Sequence, residues 1–158
     1  MGFRIGYGYD VHQLVEGEEF WLGGIQIDYH KGGLGHSDAD VLIHVICDAL
    51  LGAANLRDIG YHFPDTDAKF KNVDSKLLLK ESMALVRQKG YKLENIDSTI
   101  CLQKPKIKGL VPEMQSVIAN CLEVENDQIS IKATTTERLG FVGEEKGISA
   151  HAVVLISK

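Results

Sequence analysis

The segment "YGYDVHQL", residues 7–14, places Asp10 and His12 two positions apart in a run that reads as a β-strand. Successive strand side chains point to opposite faces, so this carboxylate and imidazole would project together from one face. Such a pair is either a solvated strand end or two metal ligands that need a third. His44 is the candidate third. It falls in an apolar helical run with Asp40 and Asp48, whose spacing of four puts all three on one helix face. A lone helical histidine is more often packed than ligating. Ligating imidazoles, however, usually donate their second N–H to a carboxylate, and Asp40 or Asp48 is expected to serve His44 in this way. An Asp-His-His set suits Zn2+, or Mn2+ and Fe2+ less specifically. Three protein ligands leave a position for water or substrate, as in catalytic zinc sites.

Two further segments could handle phosphate. "GHSDAD" sets His36 and Ser37 just before a helix start, where free amides and the helix dipole favour anions. A plain cap by Ser37 or Asp38 is the simpler reading of the same residues. In "ATTTERLG" (133–140), Thr134, Thr135 and Thr136 could donate to phosphate oxygens. Glu137 could there hold a hard cation such as Mg2+. Threonines are equally good strand formers, so neither segment is diagnostic alone.

These groups need elements to position them. Strand patterns cover "FRIGYGYDVH", "YKLENIDSTICLQ", "QISIKATTT" and "ISAHAVVLIS", and "EEFWLGGIQIDYH" reads as a hairpin turning at Gly23-Gly24. Helices are expected from Asp38 or Ala39 to Ala54, from Ser75 to Lys89 before Gly90, and from Leu110 to Leu122. The first would bury Val41, Val45, Leu50 and Leu51. "KGGLGHSD" (31–38) is expected to be a mobile loop, "LRDIGYHFPDTD" a polar loop and "LGFVGEEKG" a turn. The early hairpin and strand-rich end favour an α+β fold: one mixed β-sheet with helices packed on one face, in a single domain spanning 1–158. The uncovered face then raises the possibility of oligomers.

A net charge of −5 and no basic run interleaved with aromatics argue against nucleic acid. Hydrophobic content of 44% and charged content of 25% are ordinary for a soluble protein. "VLIHVICDALLGAA" is too short and too polar for a membrane span. Cys47, Cys101 and Cys121 are odd in number and lie in apolar stretches, so they read as buried thiols of a reducing compartment. A cytoplasmic protein is expected.

Taken together, "DVHQL", "GHSDADVLIHVICDALLGAANLRDIGYHFPDTD" and "IKATTTERLGF" resemble the 2-C-methyl-D-erythritol 2,4-cyclodiphosphate synthase family along essentially the whole chain. The resemblance implies a homotrimer in non-mevalonate isoprenoid biosynthesis. Its reaction turns 4-diphosphocytidyl-2-C-methyl-D-erythritol 2-phosphate into the cyclic diphosphate and CMP. It implies Asp10, His12 and His44 as Zn2+ ligands, and His36 and Ser37 as a loop on the substrate phosphates. Asp58 and Gly60 would hold the cytidine ribose; Phe63 and Asp65 would line the methylerythritol pocket. Lys106, Thr134 and Thr135 would come from a neighbouring subunit, with Thr135 a positioning donor, and Glu137 would ligate a second cation, Mg2+ or Mn2+. The chain departs at Leu102 and Lys104, where relatives often have small residues, and at Glu144, where many have arginine. Three copies of Glu144 around a threefold axis would repel a diphosphate unless Lys146 or His151 compensates them. A metal-dependent phosphohydrolase and a non-catalytic nucleotide-binding trimer are the rival readings.

Overall fold

The computed structural model describes residues 2–158. The first strand, β1 (Phe3–Glu16), alternates as its sequence requires. Phe3, Ile5, Tyr7, Tyr9 and Val11 are exposed on one side, while Gly6, Gly8 and Leu14 are buried on the other. A hairpin, β2 (Phe20–Leu22) and β3 (Ile25–Ile27), follows. Its turn residues Gly23 and Gly24 have φ of 61° and 79°, the left-handed pair that a tight hairpin demands.

Residues 31–38 are not wholly a loop. Lys31–Leu34 form β4, which pairs antiparallel with β1 from Gln13↔Leu34 to Glu16↔Lys31. The glycines signalled flexibility, but the long end of β1 offers unpaired backbone groups that this segment satisfies. Residues 35–38 bend beyond it, with the His36 carbonyl accepting from the Asn72 N–H at 2.9 Å.

Helix α1 (Val41–Ala53) then crosses behind the sheet. It buries Ile43, Ile46 and Cys47 as well as the expected Val41, Val45, Leu50 and Leu51, because it lies between β1 and a further helix, α3 (Ser75–Gln88). Its cap is neither Ser37 nor Asp38. Asp40 takes that place, its side chain accepting from the Ile43 N–H. Between α1 and α3 the polar segment contains a one-turn helix, α2 (Ile59–His62), capped by Asp58. Gly90, at φ 81°, follows the C-cap Lys89 of α3.

The remaining elements complete the sheet: β5 (Lys92–Cys101), α4 (Val111–Leu122), β6 (Ile129–Thr134), the one-turn α5 (Gly140–Gly143) and β7 (Gly147–Ser157). The strand order is β4-β1-β7-β5-β6. Among the described residues only β5 and β6 are parallel, and α4 supplies the crossover that parallel neighbours need. The fold is therefore α+β with a mixed sheet, as expected. The core lies between sheet and helices, around Leu42, Ile46, Leu79, Met83, Ile100 and Met114. Cys47 and Cys121 are buried there, whereas Cys101 is only half-buried, and none is in a disulfide.

Candidate metal centre and active site

Asp10 and His12 point from β1 towards α1, and His44 meets them from the second turn of that helix. The Asp10 Oδ2 lies 2.9 Å from His12 Nε2 and 3.4 Å from His44 Nδ1. The two imidazole nitrogens are 3.4 Å apart. One donor atom from each residue thus falls within 4.8 Å of the others, in a cluster that is half-buried. The far nitrogen of His12, Nδ1, is 2.8 Å from the Ala39 carbonyl and donates to it, which leaves Nε2 to face Asp10. Two imidazoles and a carboxylate, converging with one side open, are a donor set that fits Zn2+ or a similar divalent ion.

The charges are arranged accordingly. Burial alone would raise the Asp10 carboxyl, but the hydrogen bond from His12, the close approach of the His44 imidazole and the His12 charge outweigh it and hold Asp10 well below the usual carboxylate range. Burial would lower His12, yet its bond to Asp10 and the Asp10 charge raise it above its ordinary value. In the metal-free site a protonated His12 forms an ion pair with Asp10.

His12 and His44 of the cluster line a cleft of about 320 Å³, together with His36, Ser37, Gly60, Phe63 and Asp65. Five residues expected at the site thus gather beside the triad. Phe63 is buried and meets Phe70 edge-on, at 5.5 Å between ring centres, which gives the cleft an apolar floor. Asp58 lies at the start of α2, exposed, with Oδ1 accepting from the Tyr61 N–H at 2.8 Å.

Lys106, Thr134, Thr135 and Glu137 do not line this cleft. The sheet register gives the reason. Thr134 pairs with Cys101, Cys101 with Ser149, and Ser149 with Val11. Three strand spacings therefore separate Thr134 from the strand that holds Asp10 and His12, about 14 Å at ~4.8 Å each. Lys106 and Glu137 are exposed on the loops that follow β5 and β6, and Glu137 and Arg138 both take left-handed φ.

Three expectations about polar neighbours are corrected. Asp40 does not serve His44: it is fully buried and accepts from Gly23, Gly24 and Ile43 N–H groups. Asp48 accepts from the Ile59 N–H at 2.8 Å and so ties α1 to α2 instead. The start of α1 is no open anion site, because the Asp40 carboxylate already occupies it. In addition, Lys146 pairs with Glu144, so that carboxylate is compensated.

A family model described as the YgbB family matches residues 3–157. The chain belongs to the YgbB family. Among relatives, the 2-C-methyl-D-erythritol 2,4-cyclodiphosphate synthase of Phocaeicola vulgatus is 63% identical over 158 residues, covering 100% of this chain and 99% of its own. The bifunctional IspDF from Campylobacter jejuni superposes with a TM-score of 0.94 at 45% identity. That match covers 98% of this chain and 42% of the larger protein, so this YgbB chain spans well under half of it. A 2C-methyl-D-erythritol-2,4-cyclodiphosphate synthase in its CDP-bound form gives a TM-score of 0.90 at 36% identity, covering 98% and 100%.

Two polar residues of this YgbB chain escape a reading by pattern. His44 Nε2 lies 3.0 Å from Ser75 Oγ, and Ser75 Oγ in turn donates to Asp38. Ser75 looks in sequence like an ordinary first residue of α3, and Asp38 like a helix cap. Only the packing of α3 against α1 brings them to His44.

Proposed function

We infer that this chain is an enzyme that converts 4-diphosphocytidyl-2-C-methyl-D-erythritol 2-phosphate to 2-C-methyl-D-erythritol 2,4-cyclodiphosphate and CMP. It is a phosphorus–oxygen lyase of isoprenoid precursor synthesis. The observation that carries this reading is the 63% identity, end to end, with a relative of that name. The metal-fitting triad at the wall of the cleft supports it.

In this reaction an oxygen of the 2-phosphate attacks the β-phosphorus of the diphosphate. The bond from that phosphorus to the α,β-bridging oxygen breaks, and CMP leaves with that oxygen. The nucleophile is already an anion, so no strong general base is needed; positioning and charge neutralisation do the work. Asp10, His12 and His44 would hold Zn2+, and Glu137 a second divalent cation, Mg2+ or Mn2+. These ions would supply Lewis-acid neutralisation of the phosphate oxygens. His36 and Ser37, on the bend after β4, would donate to the phosphates from the cleft rim. Phe63 and Asp65 would take the methylerythritol carbons and hydroxyls, and Asp58 and Gly60 the ribose.

Lys106, Thr134 and Thr135 would complete the site from a neighbouring subunit, Thr135 orienting the phosphate as a donor. A homotrimer with shared sites follows from this division. The exposed face of β1, with Phe3, Ile5, Tyr7, Tyr9 and Val11, offers apolar surface for such packing. Unpaired cysteines fit a reducing cytoplasm. No helix of the described residues is long and apolar enough to cross a membrane.

Incubation with the diphosphocytidyl substrate, Zn2+ and Mg2+ tests the reading. The expected products are cyclic diphosphate and CMP in equal amounts. Linear phosphates would mean a hydrolase, and no turnover a binding protein.

A further inference from the structure

We propose that Ser75, held by Asp38, is the positioning residue that presents His44 to the metal through the correct nitrogen. The proposal rests on the metal-site reading above and deepens it.

The argument is a count of protons. Asp38 Oδ2 accepts from the Ser75 backbone N–H at 2.8 Å, and Oδ1 from the Asp40 N–H at 3.1 Å. An ionised carboxylate is acceptor-only, so the hydrogen shared between Asp38 and Ser75 Oγ is the serine's own. A hydroxyl has one hydrogen. Ser75 therefore turns only lone pairs towards His44 Nε2, 3.0 Å away. That nitrogen must carry the imidazole proton to make the contact. A neutral imidazole protonated at Nε2 keeps its lone pair on Nδ1, the atom that faces Asp10 and His12.

Ser75 is fully buried, so no water replaces it. Ser37 is a second acceptor, its Oγ 3.1 Å from the same Nε2. One N–H facing two hydroxyls needs only one of them. With Ser75 fixed by Asp38, Ser37 is free to turn towards a phosphate in the cleft without releasing His44. A purely structural role, tying the bend at 35–38 to the start of α3, would explain the Asp38 contacts. It would not explain why the hydroxyl ends on a ligand's outer nitrogen.

The test titrates metal-stripped protein with Zn2+ against a chromophoric chelator. Ser75→Ala is expected to weaken binding about 10–100-fold, the usual effect of losing an outer partner of a ligand. Ser37→Ala is expected to change Zn2+ affinity by no more than a few-fold. In the Zn2+-loaded protein, the His44 Nε2–H proton should be slow to exchange by NMR and become fast in Ser75→Ala. A structural role alone would leave that proton unmoved. Wild-type affinity in Ser75→Ala with an unchanged Nε2–H signal would overturn the proposal while the metal site stands. Absence of stoichiometric Zn2+ in the wild type, or its retention in His12→Ala, would overturn the metal site and the proposal together.

Discussion

A Cβ placed on Gly8 would lie 2.1 Å from the Val45 carbonyl oxygen, so β1 and α1 meet backbone to backbone beside the candidate metal centre. The same holds one step along the strand, where a Cβ on Gly6 would fall 1.8 Å from the Ala49 carbonyl oxygen. With bare α-carbons at both positions the helix rests directly on the strand. His44, the residue before Val45, can then reach Asp10 and His12. Gly8→Ala must push helix and strand apart by about 1 Å to restore ordinary contact, a movement that tightly packed interiors resist. We expect a loss of about 1–3 kcal/mol in urea denaturation, the usual cost of overpacking. Zn2+ affinity should fall with it. An unchanged midpoint and unchanged affinity would show that this contact does not set the triad.

Strand period alone was enough to put Asp10 and His12 on one face, and helix period enough to make His44 a candidate partner. Those are local relations. What orients His44 is not legible locally, because Asp40 and Asp48 share its helix face and Ser75 does not share its helix. Side chains four apart on a helix are near one another, but each goes to whichever donors the tertiary packing offers. Asp40 found the N–H groups of Gly23 and Gly24, seventeen and sixteen residues away. Residues 31–34 hide their strand for a related reason: three glycines in five residues signal flexibility, and only the long β1 beside them makes a strand of the segment. Likewise, no pattern reveals that Thr134 stands three strands from Val11; that needs the strand order.

Asp40 is a fastening between elements, and its substitution should show it. Its carboxylate accepts from Gly23 at 2.9 Å, Gly24 at 2.7 Å and Ile43 at 3.0 Å, joining the hairpin turn to the start of α1. Asp40→Ala would leave three buried or half-buried N–H groups without an acceptor. A cost of about 2–4 kcal/mol is expected from the lost cap and the unsatisfied donors. Asp40→Asn should also destabilise, because its NH2 would meet an N–H. Zn2+ affinity of the folded Asn variant should stay within a few-fold of wild type. A selective loss of affinity at unchanged stability would return Asp40 to the role of His44's partner.

Cys47 should be silent to alkylation in the native state. It is fully buried in α1, and burial pushes its thiol up to about 12. At pH 8 roughly one molecule in ten thousand would carry the reactive thiolate, and reagent could not reach it. Labelling by iodoacetamide should therefore track unfolding, rising with urea along the same curve as the circular dichroism signal. Rapid modification of Cys47 in buffer would mean that α1 opens locally far more easily than its packing implies.

The Asp10–His12 pair makes metal binding compete with a proton. Asp10 is held low, so its contribution to the metal-free fold is present above its ordinary value of 3.8 and is lost as pH falls through the depressed value. His12 is raised, so its contribution is complete below 6.5 and is lost as pH rises through the raised value. The metal-free protein should accordingly draw most from this pair between about pH 4 and 6.5, and its melting temperature should decline on the alkaline side. Zn2+ needs the Nε2 lone pair that this proton occupies. Its apparent affinity should then rise about tenfold per pH unit below the His12 value and level off above it. Calorimetry at pH 6 in buffers of different ionisation enthalpy should detect close to one proton released per Zn2+ bound. The count should fall towards zero as pH rises through the raised His12 value. Affinity that does not change from pH 6 to 8, with no proton released, would mean that the ion does not displace the proton between Asp10 and His12 and binds elsewhere.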